Sequence, residues 1–124
     1  MVSTICLNMI VKNETKNLEK LFKSLHNVID YYVIHDTGST DGTPEMIEKL
    51  MGNYGISGEI FHEEWKNFGY NRQKALESAY NSTFKPDYVF IIDADEEFHY
   101  ISEAWFKNLT KDTYNIKRLF ASIE

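Results

Sequence analysis

The sequence predicts an α/β fold with a mainly parallel sheet flanked by helices. The first observation behind it is that short apolar runs alternate along the chain with segments of helical periodicity. The second is that clusters of polar residues follow directly after several of the apolar runs. A strand–helix–strand alternation implies right-handed crossovers, and these make neighbouring strands parallel.

The strands are predicted from runs rich in apolar and β-branched residues. The strongest is Tyr88–Ile92, and the weakest is Glu59–His62. The remaining runs are Thr4–Val11, Tyr31–His35 and, near the end of the chain, Tyr114–Leu119.

The helices are predicted from apolar spacing and from start and stop signals. Asn13 is the expected cap of a first helix. Thr43-Pro44-Glu45 is typical of a cap, a first-turn proline and a first-turn acid, and Gly52 can end that second helix. A third helix includes Phe68 to Tyr80, and a fourth is expected over Ser102–Leu109.

Composition limits the classes of function. A chain of 124 residues is one domain in length, and a net charge of −6 disfavours a general nucleic-acid role, which needs basic patches. The single cysteine, Cys6, excludes a disulfide within the chain. No apolar stretch is long enough to span a bilayer, and the first residues lack the features of a signal peptide. These features predict a cytoplasmic protein.

Three polar clusters come directly after predicted strands. They are Lys12-Asn13-Glu14, Asp36-Thr37-Gly38-Ser39 and Asp93-Ala94-Asp95. In a parallel sheet the carboxyl ends of the strands lie at one edge, and ligands bind beyond that edge near the topological switch point. The sequence therefore predicts that the clusters converge on one binding site.

Asp93 and Asp95 form the clearest metal-binding pair. Residues two apart in extended chain point the same way, and paired carboxylates repel unless a cation or proton joins them. Mg²⁺ commonly combines one or two carboxylates with substrate phosphates, and Mn²⁺ accepts the same ligands. The alternative is that both acids begin a solvated turn continued by Glu96 and Glu97.

Asp36 and Arg72 are the other candidate ligands of a nucleotide. The Asp36 carboxylate can accept from a base N–H and a ribose hydroxyl, or it can accept backbone N–H groups of its own loop. Arg72 can offset diphosphate charge or fix the base, or it can be a solvated helical charge. Asp41 is interpreted as a capping residue, Lys74 as a solvated charge and His35 as a packing residue.

Four ordered motifs resemble family 2 glycosyltransferases. They are TICLNMIVKNE from Thr4, HDTGSTDGT from His35, NFGYNRQKAL from Asn67 and IIDADEEF from Ile91. The resemblance covers residues 4 to 98 and implies a Rossmann-like GT-A half-domain that binds a nucleoside-diphosphate sugar, most often a UDP-sugar. It further implies transfer of that sugar to an acceptor, which the sequence does not identify.

The resemblance also implies roles for individual residues. Asp36 and the loop formed by Val11, Lys12, Asn13 and Glu14 would contact the uracil and ribose, and Arg72 would line the nucleotide pocket. Asp93 would lie near the ribose and the metal, while Asp95 would ligate the Mn²⁺ or Mg²⁺ that bridges the diphosphate. Such a metal acts as a Lewis acid on the departing nucleotide.

Family members are considerably longer than this chain. We therefore expect residues 1–124 to form one nucleotide-sugar-binding domain, truncated before the acceptor-binding half. The catalytic residues are unknown, because Phe98 to Glu124 contains no recognisable base motif and Glu103 is interpreted as an acid at a helix start. An exposed sheet edge would favour a homodimer or a partner chain.

Other functions use some of the same residues. A non-catalytic nucleotide-sugar-binding module would share every binding residue and lack turnover. A phosphatase of the haloacid dehalogenase type also places Asp-x-Asp after a strand, but its motif normally opens the domain. A sugar-1-phosphate nucleotidyltransferase would need a glycine-rich loop with arginine where this chain has Ile10-Val11-Lys12-Asn13.

Overall fold

A computed structural model describes residues 4–95 of the chain. Within that range the elements alternate, beginning and ending with a strand. The strands are β1 (Ile5–Val11), β2 (Tyr31–Asp36), β3 (Ser57–His62) and β4 (Tyr88–Ile91), and the helices are α1 (Thr15–Leu25), α2 (Thr43–Asn53) and α3 (Phe68–Tyr80). The predicted helix over Ser102–Leu109 and strand over Tyr114–Leu119 lie outside the described residues.

The four strands form one parallel sheet in the order β3-β2-β1-β4. The chain runs outward from β1 through β2 to β3, and β4 then returns to the other side of β1. The direction of winding therefore changes between β1 and β4. In open parallel sheets such a change leaves a crevice at the carboxyl ends of the two strands. The predicted α/β class and parallel sheet are confirmed.

One face of the sheet packs against α1 and α2 and contains most of the apolar core. Alternate residues of β1 point to this face, and the amphipathic stripe of α1 covers them. The core residues of these two elements are Ile5, Leu7, Met9, Val11, Leu18, Leu21, Phe22 and Leu25. Tyr32 and Ile34 of β2 and Tyr88 and Phe90 of β4 extend the same cluster.

The opposite face packs against α3 and buries smaller and more polar side chains. Its apolar cluster consists of Cys6, Val33 and Ala79, with Tyr31 and Val89 packed against it. Burial raises the pKa of the Cys6 thiol to about 12, so this cysteine is an unreactive packing residue.

Glycine permits a close contact on the outer strand. Gly58 of β3 pairs with Tyr32 of β2, and a Cβ at Gly58 would overlap the Tyr32 ring and backbone. The missing side chain lets the tyrosine ring lie across the outer strand and extend the core. No helix among the described residues is both long and apolar enough to cross a membrane.

Two predicted helix starts were each wrong by one residue. Glu14, not Asn13, precedes α1, and Asn13 instead has a left-handed backbone with φ 54°. Gly42 caps α2 with φ 84°, which places Thr43 inside the helix, and the helix passes Gly52 to end at Asn53. Neither side chain caps its own helix, because Asn13 Oδ1 accepts from Thr40 N, and the Thr43 hydroxyl donates to Asp41 and accepts from Glu14 N.

Candidate functional site

A cleft of about 470 Å³ opens at the carboxyl edge of the sheet, beside the change of winding between β1 and β4. It combines residues from the ends of both strands with residues from the start of α3. The lining residues are Ile10, Val11, Lys12, Glu14, Thr37, Trp65, Phe68, Arg72, Asp93, Ala94 and Asp95. All three predicted polar clusters therefore contribute to this cleft, the second of them through Thr37.

Asp93 and Asp95 reach the cleft because the alternation of β4 continues past its last residue. Ile92 and Ala94 are buried in the core beneath α1, whereas Asp93 and Asp95 are exposed. Ala94 and Asp95 lie in a turn rather than in extended chain, and both carboxylates still line the same cleft. The two acids thus share a site as predicted, while the turn at Asp95 agrees with the alternative interpretation of the pair.

Arg72 crosses from α3 towards the carboxylates. Its Nη2 donates a hydrogen bond to Oδ1 of Asn8 in the middle of β1. Burial lowers the pKa of the Arg72 guanidinium, and the nearby charge of Asp93 raises it. A guanidinium remains charged under both influences, so the cleft contains one half-buried cation beside two carboxylates.

The loop after β1 forms the opposite part of the lining. Val11 is buried, Glu14 is half-buried and Lys12 is exposed. The Glu14 N–H donates to Thr43 Oγ1 at 2.9 Å, and Thr37 Oγ1 donates to the Val11 carbonyl at 3.2 Å. Thr37 in the loop after β2 and Thr43 at the start of α2 thus fix the backbone of the loop after β1. The Lys12 side chain of that loop remains exposed to solvent.

Asn13 and Asp36 are not part of the cleft lining. The Asp36 carboxylate accepts from Gly38 N at 3.2 Å, Ser39 N at 3.0 Å and Ser39 Oγ at 2.5 Å. Asn13 Oδ1 accepts from Thr40 N at 2.7 Å. Both side chains therefore build the two adjoining loops, as the alternative interpretation of Asp36 predicts. Direct contact of either residue with a nucleotide stays a prediction.

Three residues that the sequence placed outside the site have structural partners. Asp41 accepts from Thr43 N at 3.1 Å and from Thr15 Oγ1 at 3.0 Å, so it joins the starts of α1 and α2. Lys74 lies 3.8 Å from Glu77 on the exposed side of α3. His35 is buried, and its Nε2 lies 2.8 Å from Ser78 Oγ.

Several residues in or behind the cleft were not predicted. Trp65 and Phe68 line the cleft and are 48% and 61% exposed, so they stand at its rim. Asn71 holds the segment between them, because its Oδ1 accepts from Lys66 N at 2.9 Å. The partner of Arg72, Asn8, was also missed. A signal was available, since Asn8 is the polar residue within the apolar run ICLNMIV.

The described residues contain no group of three or more histidine, cysteine, aspartate or glutamate side chains that could hold a metal ion. The Asp93/Asp95 pair can supply one or two oxygen ligands, and a hard divalent ion needs about six. A metal at this pair would therefore need ligand oxygens from a bound phosphate group and from water. The donor set fits Mg²⁺ or Mn²⁺ used in that manner.

Comparison with known proteins identifies the family. Residues 6–109 match the family described as glycosyl transferase family 2. The chain is 33% identical over 93 residues to the glycosyltransferase SunS of Bacillus phage SPbeta, covering 74% of this chain and 20% of that protein. The chain therefore belongs to glycosyl transferase family 2. It spans 20% to 30% of the length of the curated relatives that it matches.

Solved structures share the fold. TarS 1-349 of S. aureus in complex with UDP has a TM-score of 0.59 at 23% identity, covering 77% of this chain and 28% of that one. Glucosyl-3-phosphoglycerate synthase from Mycobacterium tuberculosis, in complex with Mn²⁺, UDP and glucosyl-3-phosphoglycerate, has a TM-score of 0.53 at 20% identity. That match covers 77% of this chain and 36% of the synthase. The described residues thus form a Rossmann-like part of a GT-A fold.

Proposed function

We propose that this chain is the donor-binding part of a glycosyltransferase and binds a nucleoside-diphosphate sugar, specifically a UDP-sugar, in the cleft at the carboxyl edge. The observation that carries the proposal is the meeting of Arg72, Asp93 and Asp95 with the loop after β1 in one cleft beside the change of winding. A cation beside a carboxylate pair suits a diphosphate and its metal ion, since the cation contacts phosphate oxygens and the carboxylates contact the metal.

Mn²⁺ or Mg²⁺ is the proposed cofactor. Asp93 and Asp95 would hold it together with diphosphate oxygens, and Arg72 would bind the diphosphate from the other side. When bound, such an ion stabilises the negative charge that develops on the departing nucleotide. The presence of UDP in the TarS structure, and of both Mn²⁺ and UDP in the synthase structure, supports this assignment.

The uridine part of the donor is assigned to the loops after β1 and β2. Val11, Lys12 and Glu14 line the cleft, whereas Asn13 and Asp36 stand behind that lining and fix its shape. A direct contact from Asp36 or Asn13 to the base or ribose is part of the proposal. A cytoplasmic location and association with a second copy or a partner chain also stay predictions.

Binding of UDP tests the proposal. A ligand that binds the native state raises its melting temperature, so UDP with Mn²⁺ should raise that of the 124-residue chain. Removing the metal with a chelator should reduce the shift. Absence of both a thermal shift and calorimetric heat would contradict the donor site.

Replacing each carboxylate of the pair by a neutral amide of the same shape tests whether the pair binds the metal. Asp93→Asn and Asp95→Asn should each weaken UDP binding in the presence of Mn²⁺ and make it less dependent on the metal. Glu77→Gln is the matched control, because Glu77 is an acid on the exposed side of α3, outside the cleft. Equal metal dependence in all three variants would place the metal elsewhere.

Turnover separates an enzyme from a binding module that uses the same residues. Release of UDP from several UDP-sugars, measured with and without sugar acceptors, reports transfer and hydrolysis separately. We expect this chain alone to bind donor and to show negligible transfer, since acceptor transfer needs a base within hydrogen-bond reach of the attacking hydroxyl. Robust transfer to a defined acceptor would contradict that expectation and would place the base within these residues.

A further inference from the structure

Asn8 is a polar side chain in the middle of the central strand, and none of its surface is exposed. It pairs with Val33 of β2 on one side and with Ile91 of β4 on the other. Burying an amide costs free energy unless its hydrogen bonds are made. The contacts of Asn8 therefore indicate why a polar residue is tolerated there.

The amide of Asn8 is held by two backbone carbonyls. Nδ2 donates to the Val33 carbonyl at 2.9 Å and to the Ala75 carbonyl at 3.0 Å, one from β2 and one from α3. Both N–H groups of the amide are thereby used, and the orientation of the group follows, because two carbonyls can be met only by the NH₂ end. The oxygen must then face the remaining side.

Arg72 lies on that remaining side. Its Nη2 donates to Asn8 Oδ1, and the guanidinium is otherwise placed in the cleft beside Asp93. Among residues 4–95, no acceptor meets the buried Nε of Arg72. One N–H of the guanidinium is thus used to fix its position, while others remain for a ligand in the cleft.

We propose that Asn8 is a positioning residue, which holds the Arg72 guanidinium at the angle needed to bind the diphosphate of the nucleotide. Asn8 does not line the cleft and acts only through Arg72. A free arginine side chain samples many rotamers and loses that freedom when it binds, so a fixed guanidinium binds phosphate oxygens more tightly. The part of this inference that concerns the diphosphate rests on the proposed function.

Two variants at position 8 remove the contact. Asn8→Leu has a similar volume but no acceptor. Asn8→Ser is milder, because its hydroxyl can donate to one carbonyl and is too short to reach Arg72. Cys6→Ala is the matched control, since Cys6 lies two residues earlier on the same strand face, beneath Ala79 of the same helix. It disturbs the packing of α3 without touching Arg72.

Nitrogen NMR of the arginine side chains tests the positioning without any nucleotide. In the wild-type chain the Arg72 side-chain signal, assigned by its loss in Arg72→Lys, should be resolved and protected from solvent exchange. In Asn8→Leu and Asn8→Ser it should broaden or exchange faster, and in Cys6→Ala it should be unchanged. An unaltered Arg72 signal in a folded position-8 variant would overturn the inference, whatever the protein binds.

A double-mutant cycle tests the functional consequence. With UDP and Mn²⁺, Asn8→Ser should weaken binding roughly tenfold in the wild-type background and leave it unchanged in the Arg72→Ala background. Equal weakening in both backgrounds, or equal weakening by Cys6→Ala, would show a merely structural role and overturn the inference. If wild-type protein binds no UDP, the proposed function fails, and the NMR result alone decides whether Asn8 positions Arg72.

Discussion

The two faces of the sheet bury different kinds of side chain. The face beneath α1 and α2 contains large aliphatic and aromatic residues in one continuous cluster. The face beneath α3 contains Cys6, Val33 and Ala79, together with the buried polar side chains of Asn8 and His35. The cleft residues Ile10, Arg72, Asp93 and Asp95 belong to this second, polar side.

The difference separates stability from binding. Apolar burial contributes about 25 cal/mol per Å², so the α1/α2 face supplies most of the free energy of folding. The α3 face has little apolar area, and its buried polar groups need partners with defined geometry. This second face can therefore hold a guanidinium in place beside the cleft, at little cost to the main core.

Neighbouring residues of β2 give the largest expected contrast between the faces. Ile34 points into the main core and Val33 into the α3 face, and both are fully buried. We expect Ile34→Ala to lower the free energy of unfolding by about 2–5 kcal/mol, because it leaves a cavity in a tightly packed cluster. Val33→Ala should cost about 1–2 kcal/mol. Urea denaturation measures both losses. If they differ by no more than the one extra carbon that Ile34→Ala removes, the contrast between the two faces is contradicted.

Asp36→Ala is expected to have the next largest effect. The carboxylate accepts three hydrogen bonds from its loop, and a bond to a charged group contributes about 1.5–3 kcal/mol. We expect the free energy of unfolding, measured by urea denaturation, to fall by about 1.5–3 kcal/mol. If Asp36 also contacts the base or ribose, the affinity for uridine without diphosphate should fall roughly tenfold. Wild-type uridine affinity in a folded variant would assign Asp36 to the loop alone.

The pH dependence of His35 gives a smaller effect on the polar face. Burial lowers the pKa of His35 from 6.5, Glu63 raises it and Arg72 lowers it. The unfolded chain therefore binds a proton at a higher pH than the folded one. This contribution to stability is complete above about pH 6.5 and is lost as the pH falls towards the folded-state pKa.

His35→Gln isolates that contribution, since glutamine does not titrate and can still bond to Ser78. Between about pH 7.5 and pH 5.5 the urea midpoint of the wild-type chain should fall further than that of His35→Gln. The carboxylates of the protein titrate in both variants and cancel in the comparison. Identical pH profiles would mean that His35 has no lowered pKa.

Trp65→Ala should have the smallest effect on folding. The indole is 48% exposed at the cleft rim and is not part of either apolar cluster. We expect the unfolding free energy to change by no more than about 0.5 kcal/mol, as at surface positions generally. A loss above about 2 kcal/mol by urea denaturation would place Trp65 in the core rather than at the rim.

Local sequence signals were sufficient to locate the strands and the two carboxylates that follow the last of them. The apolar runs located all four described strands. β1 and β2 are buried on both faces and are continuous apolar runs, whereas the more exposed β3 was the weakest run. Asp93 and Asp95 were placed at the carboxyl edge because they follow the last of these runs directly. Both properties are local, so a single sequence contains them.

The sequence was sufficient for the α/β class, the parallel sheet and the position of Asp93 and Asp95 after its strongest strand. Tertiary contacts set the strand order, the crevice between β1 and β4, and the approach of Arg72 to Asp93. They also decided that Asn13 and Asp36 bond to the loops, and that Asn8 meets Arg72 across 64 positions of the chain. A polar side chain bonds to whatever group the fold brings within reach, and sequence spacing does not give that distance.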